Sequence, residues 1–253
     1  MRPYILAETN WEAMKTQRFE LAILPWGATE AHNYHLPYAA DNIESDFIAA
    51  ESARLAWEKG AKVIVLPTIP YGVNTGQRDV YLDMNILPTT QLAILGDIVQ
   101  VLGHHGLNKL LILNSHGGND FKALVRELGF KHPNMFISFA NWYQALDLSA
   151  YFENKCDHAD EMETSLLLHL RPDLLLPFGK WGSGKAKKNK IKEFSQGWAW
   201  AERKWPQVTE DTGVGDPRLA TAEKGERFFR DLTEKIGNLM VAICNADMND
   251  LYE

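Results

Sequence analysis

Short apolar runs rich in branched residues alternate along this chain with longer segments whose apolar residues recur at helical spacing, and that alternation is the tightest constraint on its fold. "FELAILPWG" (Phe19–Gly27) reads as a buried strand, and "ESDFIAAESARLAWEKG" after it as a helix ending on Gly60. "AKVIVLPTIPYG" is a second strand, "PTTQLAILGDIVQVLGHHG" the next helix, and "NKLLILNSHGGN" a third strand with a turn. A short helix from about Asp120 to Gly129, a strand in "NMFISFANW", a helix in "DEMETSLLLHLRP" and a last helix beginning near Thr221 complete the series. Strand, helix, strand, helix predicts an α/β layer fold with a mostly parallel central sheet. With 253 residues the chain fits one domain, 1–253. The stretch at about 179–218, rich in Gly, Lys and Trp, is expected as a long loop excursion rather than a second domain.

In open parallel sheets ligands bind beyond the carboxyl ends of the strands, and here those ends run into polar residues. The segment "WGATEAHNYHLPYAAD" places Glu30, His32, His35 and Asp41 directly after the first strand. Glu30 and His32, two apart, project to one side of an extended chain. Asp41, expected just before the next helix, can swing back and offer both oxygens to two cations. Mixed oxygen and nitrogen donors without thiolates suit zinc, manganese or iron(II) in a catalytic rather than a structural role. The spacing by itself also fits a hydrogen-bonded loop with Asp41 as a helix cap, and the glycines of "NSHGGN" also fit an anion site at a helix start.

The net charge of −7 argues against nucleic acid or an anionic membrane as partner, since both demand a basic face; the one basic cluster, "GKAKKNKIK", reads as a solvated loop. Two cysteines, Cys156 and Cys244, make neither a disulfide framework nor a thiolate zinc site and fit a reducing cytoplasm. No signal peptide or membrane span is expected.

Four ordered segments, "LPWGATEAHNYHLPYAAD", "LLILNSHGGN", "HADEMETSLLLHLRPDLL" and "GVGDPRLATAEKGERFF", resemble the creatininase (creatinine amidohydrolase-like) family over about Leu21 to Arg230. The resemblance implies a three-layer α/β/α sandwich, a dinuclear metal site, amidohydrolase activity and a homo-oligomer, often a hexamer. It also implies Glu30, His32, Asp41 and His116 as metal ligands, with Asp41 bridging, and His158 in the catalytic pocket. Creatininase carries a ligand glutamate two residues past the histidine of its third-strand segment, where this chain has Gly118; Glu163 is the expected replacement, with Glu161 and Asp160 as alternatives. The acids of that helix's first turn also favour the helix dipole without any metal.

Creatininase further has a tryptophan four residues before the pocket histidine, where this chain has Asn154, so Trp142 is expected to supply an aromatic wall. Backbone N–H groups of Gly117 and Gly118 are expected at an oxyanion, and His158 as the acid that protonates the leaving nitrogen. His35 is expected to brace the loop, and Trp181, Trp198, Trp200 and Trp205 to form a lid or a subunit contact. The expected activity is hydrolysis of a non-peptide C–N bond in a small amide-type molecule, a cyclic amide or formamide, with two divalent metal ions, zinc ahead of manganese or iron. Alternatives are a deformylase or small-peptide hydrolase, or a metal- or anion-binding protein without turnover.

Overall fold

The computed structural model describes residues 1–154 and 156–253. Four strands, β1 (Leu21–Trp26), β2 (Val63–Val65), β3 (Lys109–Asn114) and β4 (Phe136–Asn141), form one sheet in the order β2-β1-β3-β4, every pair parallel. The helices are α1 (Trp11–Met14), α2 (Ala40–Glu58), α3 (Pro88–His104), α4 (Phe121–Lys131), α5 (Glu161–Leu170), α6 (Lys192–Ser195), α7 (Trp205–Val208) and α8 (Ala222–Asn245).

The pleat of each strand decides which layer it feeds. In β1, Leu21 and Ile23 face one core while Ala22, Leu24 and Trp26 face the other, as alternation along a strand requires. The first core is closed by α2, α5 and α8, the second by α3 and α4. The result is a three-layer α/β/α sandwich whose inner strands β1 and β3 are buried on both faces, which is why they read as near-continuous apolar runs. Pro25 sits in a central strand, a place proline normally avoids. Its carbonyl accepts from Ile69 N, so its missing donor lies on the side where β2 has already ended.

Two boundaries differ from the sequence expectation. β2 stops at Val65, before Pro67 and Pro70, and the chain then continues as loop. Helix α2 begins at Ala40, so Asp41 lies in its first turn rather than ahead of it, and it caps nothing. Within the expected excursion the chain forms only single turns of helix, α6 and α7 among them. No helix among the described residues is long and apolar enough to cross a membrane.

The α8 stripe Phe228, Leu232, Ile236 and Met240, buried at intervals of one turn, packs on α2 and α5. Close approach to α5 depends on Gly225, because a Cβ there would run into the Ser165 carbonyl and lie 3.1 Å from His169 Cβ. Alanine favours a helix by about 1 kcal/mol over glycine, but overpacking against backbone costs about 1–3 kcal/mol. Gly225→Ala is therefore expected to lower the urea midpoint at unchanged slope; a raised midpoint would show that α5 and α8 yield freely.

Candidate metal centre

The strand order places β1 and β3 side by side, with the connection to β2 leaving one way and that to β4 the other, so the crevice at their carboxyl ends is the topological switch point. Glu30 and His32 follow β1, His116 follows β3, Asp41 comes from the first turn of α2, and Glu163 from the first turn of α5. All five are buried. Three overlapping groups have donor atoms close enough to share a cation: Glu30, Asp41 and His116; His32, Asp41 and Glu163; and Glu30, His32 and His158.

Each histidine has one nitrogen committed to a backbone carbonyl, which leaves the other for the cluster. His116 Nε2 donates to Val73 O at 3.1 Å, and its Nδ1 lies 2.8 Å from Glu30 Oε1 and 3.2 Å from Asp41 Oδ2. His32 Nδ1 donates to the Glu30 carbonyl at 3.1 Å, and its Nε2 lies 3.1 Å from Asp41 Oδ1 and 4.0 Å from Glu163 Oε2. His158 Nε2 donates to Ala31 O at 3.0 Å, leaving Nδ1 as an open lone pair 3.9 Å from Glu30 Oε1. Asp41 Oδ2 accepts no hydrogen bond although it is buried.

The electrostatics show a cluster that needs positive charge. Burial pushes the Glu30 carboxyl up, but the His116 and His158 imidazoles outweigh it and hold it well below the usual range. Burial lowers His32 and His116, yet Asp41 in the first case and Glu30 in the second raise both well above an ordinary imidazole. Burial raises Glu163 well above the carboxylate range despite nearby His32, and burial with the neighbouring His32 lowers His158. Protons on His32 and His116 would be one source of that charge, and a divalent ion, which leaves the imidazoles neutral, would be another.

Of the alternatives to Glu163, Asp160 caps α5, accepting from Met162 N and Glu163 N, and Glu161 pairs with Lys224 and accepts from Asn154 N at 2.9 Å. Neither belongs to the three ligand groups. Gly118 has no room for a side chain, since a Cβ would meet the Val73 carbonyl and His116 Nε2. The glycine turn does not open a helix either: α4 starts at Phe121 and is capped by the Asp120 carboxylate, which opposes a bound anion.

One sequence expectation is corrected. Trp142 does not face the pocket: it is 1% exposed, donates from Nε1 to Ser115 Oγ at 2.6 Å and packs on Phe228. Its neighbour Tyr143 lines the cavity instead. The cavity, about 330 Å³, is bounded by Glu30, Asp41, His116 and Glu163, by Gly117, Gly118 and His158, and by Trp200 and Trp205. Trp205 lies against His158 with ring centres 4.9 Å apart, while Trp181 stacks on His35 at 4.6 Å.

Sequence reasoning missed Glu44 and Gln77. Glu44 is wholly buried, neither of its oxygens is bonded, and burial with Glu163 and Asp41 nearby raises its carboxyl well above the usual range. Its position three residues past Asp41, on the same helical face, is the signal that could have found it. Gln77 donates to Glu30 from a loop with no periodicity to mark it.

Comparison with known proteins decides the family. Residues 7–240 match the Creatininase (creatinine amidohydrolase) family profile. The chain belongs to the creatininase family of amidohydrolases. A solved Bacteroides fragilis protein, provisionally described as a creatinine amidohydrolase, is 40% identical with a TM-score of 0.93, covering 100% of both chains. The mycofactocin precursor peptide peptidase of Mycolicibacterium smegmatis is 26% identical over 84% of this chain and 81% of its own length. The creatinine amidohydrolase of Pseudomonas putida is 28% identical over 60% of this chain and 65% of its own length. Two creatininase structures of the same fold, both 19% identical with TM-scores of 0.74 and 0.75 and each covered by 94% of this chain over 96% and 97% of theirs, are described as a Zn-Zn type and as an Mn form.

His35 of this creatininase-family chain is 1% exposed, bonds Thr164 Oγ1 through Nε2 at 2.9 Å, and is lowered by burial to about 4. An unfolded imidazole titrates near 6.5, so the unfolded chain takes up the proton first as pH falls. The stabilising contribution is complete above about pH 6.5 and is lost as pH falls toward about 4. In chelator-treated protein, His35→Phe is expected to lose about 1–2 kcal/mol less stability than wild type between pH 7 and 5. Parallel pH profiles of the two melting curves would refute this.

Proposed function

We propose that this chain is a dinuclear metal-dependent amidohydrolase that cleaves a non-peptide C–N bond in a small molecule, such as a cyclic amide or formamide. One observation carries the reading: the two oxygens of Asp41 face different imidazoles, Oδ1 toward His32 and Oδ2 toward His116, as a carboxylate bridging two cations must. Glu30, Asp41 and His116 would hold one ion, and His32, Asp41 and Glu163 the other. The unpartnered Asp41 Oδ2 and the thiolate-free donor set fit zinc first, with manganese or iron(II) as alternatives. When bound, such a pair lowers the pKa of a shared water toward neutrality and polarises the substrate carbonyl.

The chain's own groups supply the rest. The N–H groups of Gly117 and Gly118 border the cavity and donate to no backbone or side-chain group among the described residues, which leaves them for an oxyanion. His158 Nε2 is taken by the Ala31 carbonyl, so Nδ1 is the atom through which it would accept a proton and return it to the leaving nitrogen. A second reading, a deformylase or small-peptide hydrolase, is supported by the likeness to the peptide peptidase relatives.

Elemental analysis is expected to find two metals per chain in the wild type and about one in Glu163→Ala. Two metals retained in the variant would remove Glu163 from the site, and none in wild type after zinc or manganese is supplied would sink the dinuclear reading. In a screen of small amides, formamides and short peptides, turnover should vanish with chelator and return with metal. His158→Ala should lower kcat by about 100- to 10,000-fold at unchanged metal content.

A further inference from the structure

Gln77 ends the single helical turn Thr75–Gln77, on the loop between β2 and α3, and is 3% exposed. Its Nε2 donates to Glu30 Oε2. Only the amide nitrogen can face a carboxylate, so the orientation of this amide is determined, and its Oε1 is left buried without a partner. Glu30 Oε2 is thus occupied, and Oε1 becomes the oxygen presented to the cluster. That same Oε1 is 2.8 Å from His116 Nδ1 and 3.9 Å from both His32 Nε2 and His158 Nδ1.

The turn that carries Gln77 is itself clamped. Gln77 N donates to Asn74 O at 2.9 Å, and Asn74 N donates to Asn85 Oδ1 at 2.7 Å. From the opposite side, Thr75 Oγ1 donates to the Glu202 carboxylate, and Gly76 lies so close to the Arg203 carbonyl that a Cβ would collide with it. Arg203 in turn grips Asp157 through two contacts of 2.9 Å. The cavity wall therefore holds the turn, and the turn holds the carboxylate.

We infer that Gln77 is a positioning residue for the metal centre: its amide ties down one oxygen of Glu30 so that the other is aimed at the cation shared with Asp41 and His116. The inference rests on the dinuclear reading above and extends it to a side chain that touches no metal. A group bonded to a ligand fixes that ligand's orientation, and its removal typically weakens metal binding about 10- to 100-fold.

The test is zinc titration of the metal-stripped full chain against a chromophoric chelator, for wild type, Gln77→Met and Gln77→Leu. Methionine keeps the bulk without a donor. Leucine is smaller and likewise has no donor, and serves should the methionine variant fail to fold. For one of the two zinc equivalents the variants should bind about 10- to 100-fold more weakly, with melting temperatures of the metal-free proteins unchanged. Affinities within about twofold of wild type at both sites, a difference too small for a lost ligand tether, would overturn the role of Gln77 while leaving the dinuclear reading intact. Weaker binding that merely tracks a lowered melting temperature would also overturn it, as general destabilisation. A wild type that takes up no zinc would remove the metal reading first, and this inference with it.

Discussion

Carboxylates buried together cannot all remain ionised unless positive charge is brought to them, and the upper end of this sheet is organised around that demand. Glu30, Asp41 and Glu163 converge from the end of β1, the start of α2 and the start of α5, and no lysine or arginine is paired with any of them among the described residues. The imidazoles turn their free nitrogens toward the acids because each is held by a backbone carbonyl on its far side, from Val73, from Glu30 and from Ala31. Loop conformation therefore determines which nitrogen faces inward. The sandwich supplies rigid strand ends, and the loops convert them into a directed set of donors.

The parts of the fold that were legible in the sequence are those carried by local pattern. β1 and β3 are strongly apolar segments, as strands covered on both faces tend to be. The start of α2 was not legible because Ala39, a residue with no capping side chain, stands at its N-cap. At the site, Glu30, His32 and Asp41 are close along the chain and could be read directly. His116 and Glu163 meet them only through tertiary approach: a place just after β3 puts His116 at the same end of the sheet, and the likeness to a family pointed to Glu163. Trp142 and Tyr143 show the limit of placing residues at a strand end: they are adjacent, yet one enters the core and the other the cavity. Gln77 has no local signature, since its importance lies in a bond to a residue 47 positions away.

Similarity to both a creatinine amidohydrolase and a peptide peptidase suits a division of labour within the fold. The ligand cluster lies on strand ends and first turns of helices, which the core holds fixed. Much of the cavity wall lies on the stretch around Trp200 to Trp205 and on the loop after β2, which contain only single helical turns. Change in what is bound can be confined to the second set, leaving the first undisturbed.

The closeness of Gly118 to the Val73 carbonyl ties two parts of the site together. A side chain at position 118 would run into Val73 O, and the same carbonyl accepts from His116 Nε2. Any residue larger than glycine at 118 therefore has to move the loop after β2, and with it the group that orients His116. One carbonyl oxygen couples the choice of residue in the glycine turn to the direction of an imidazole in the cluster.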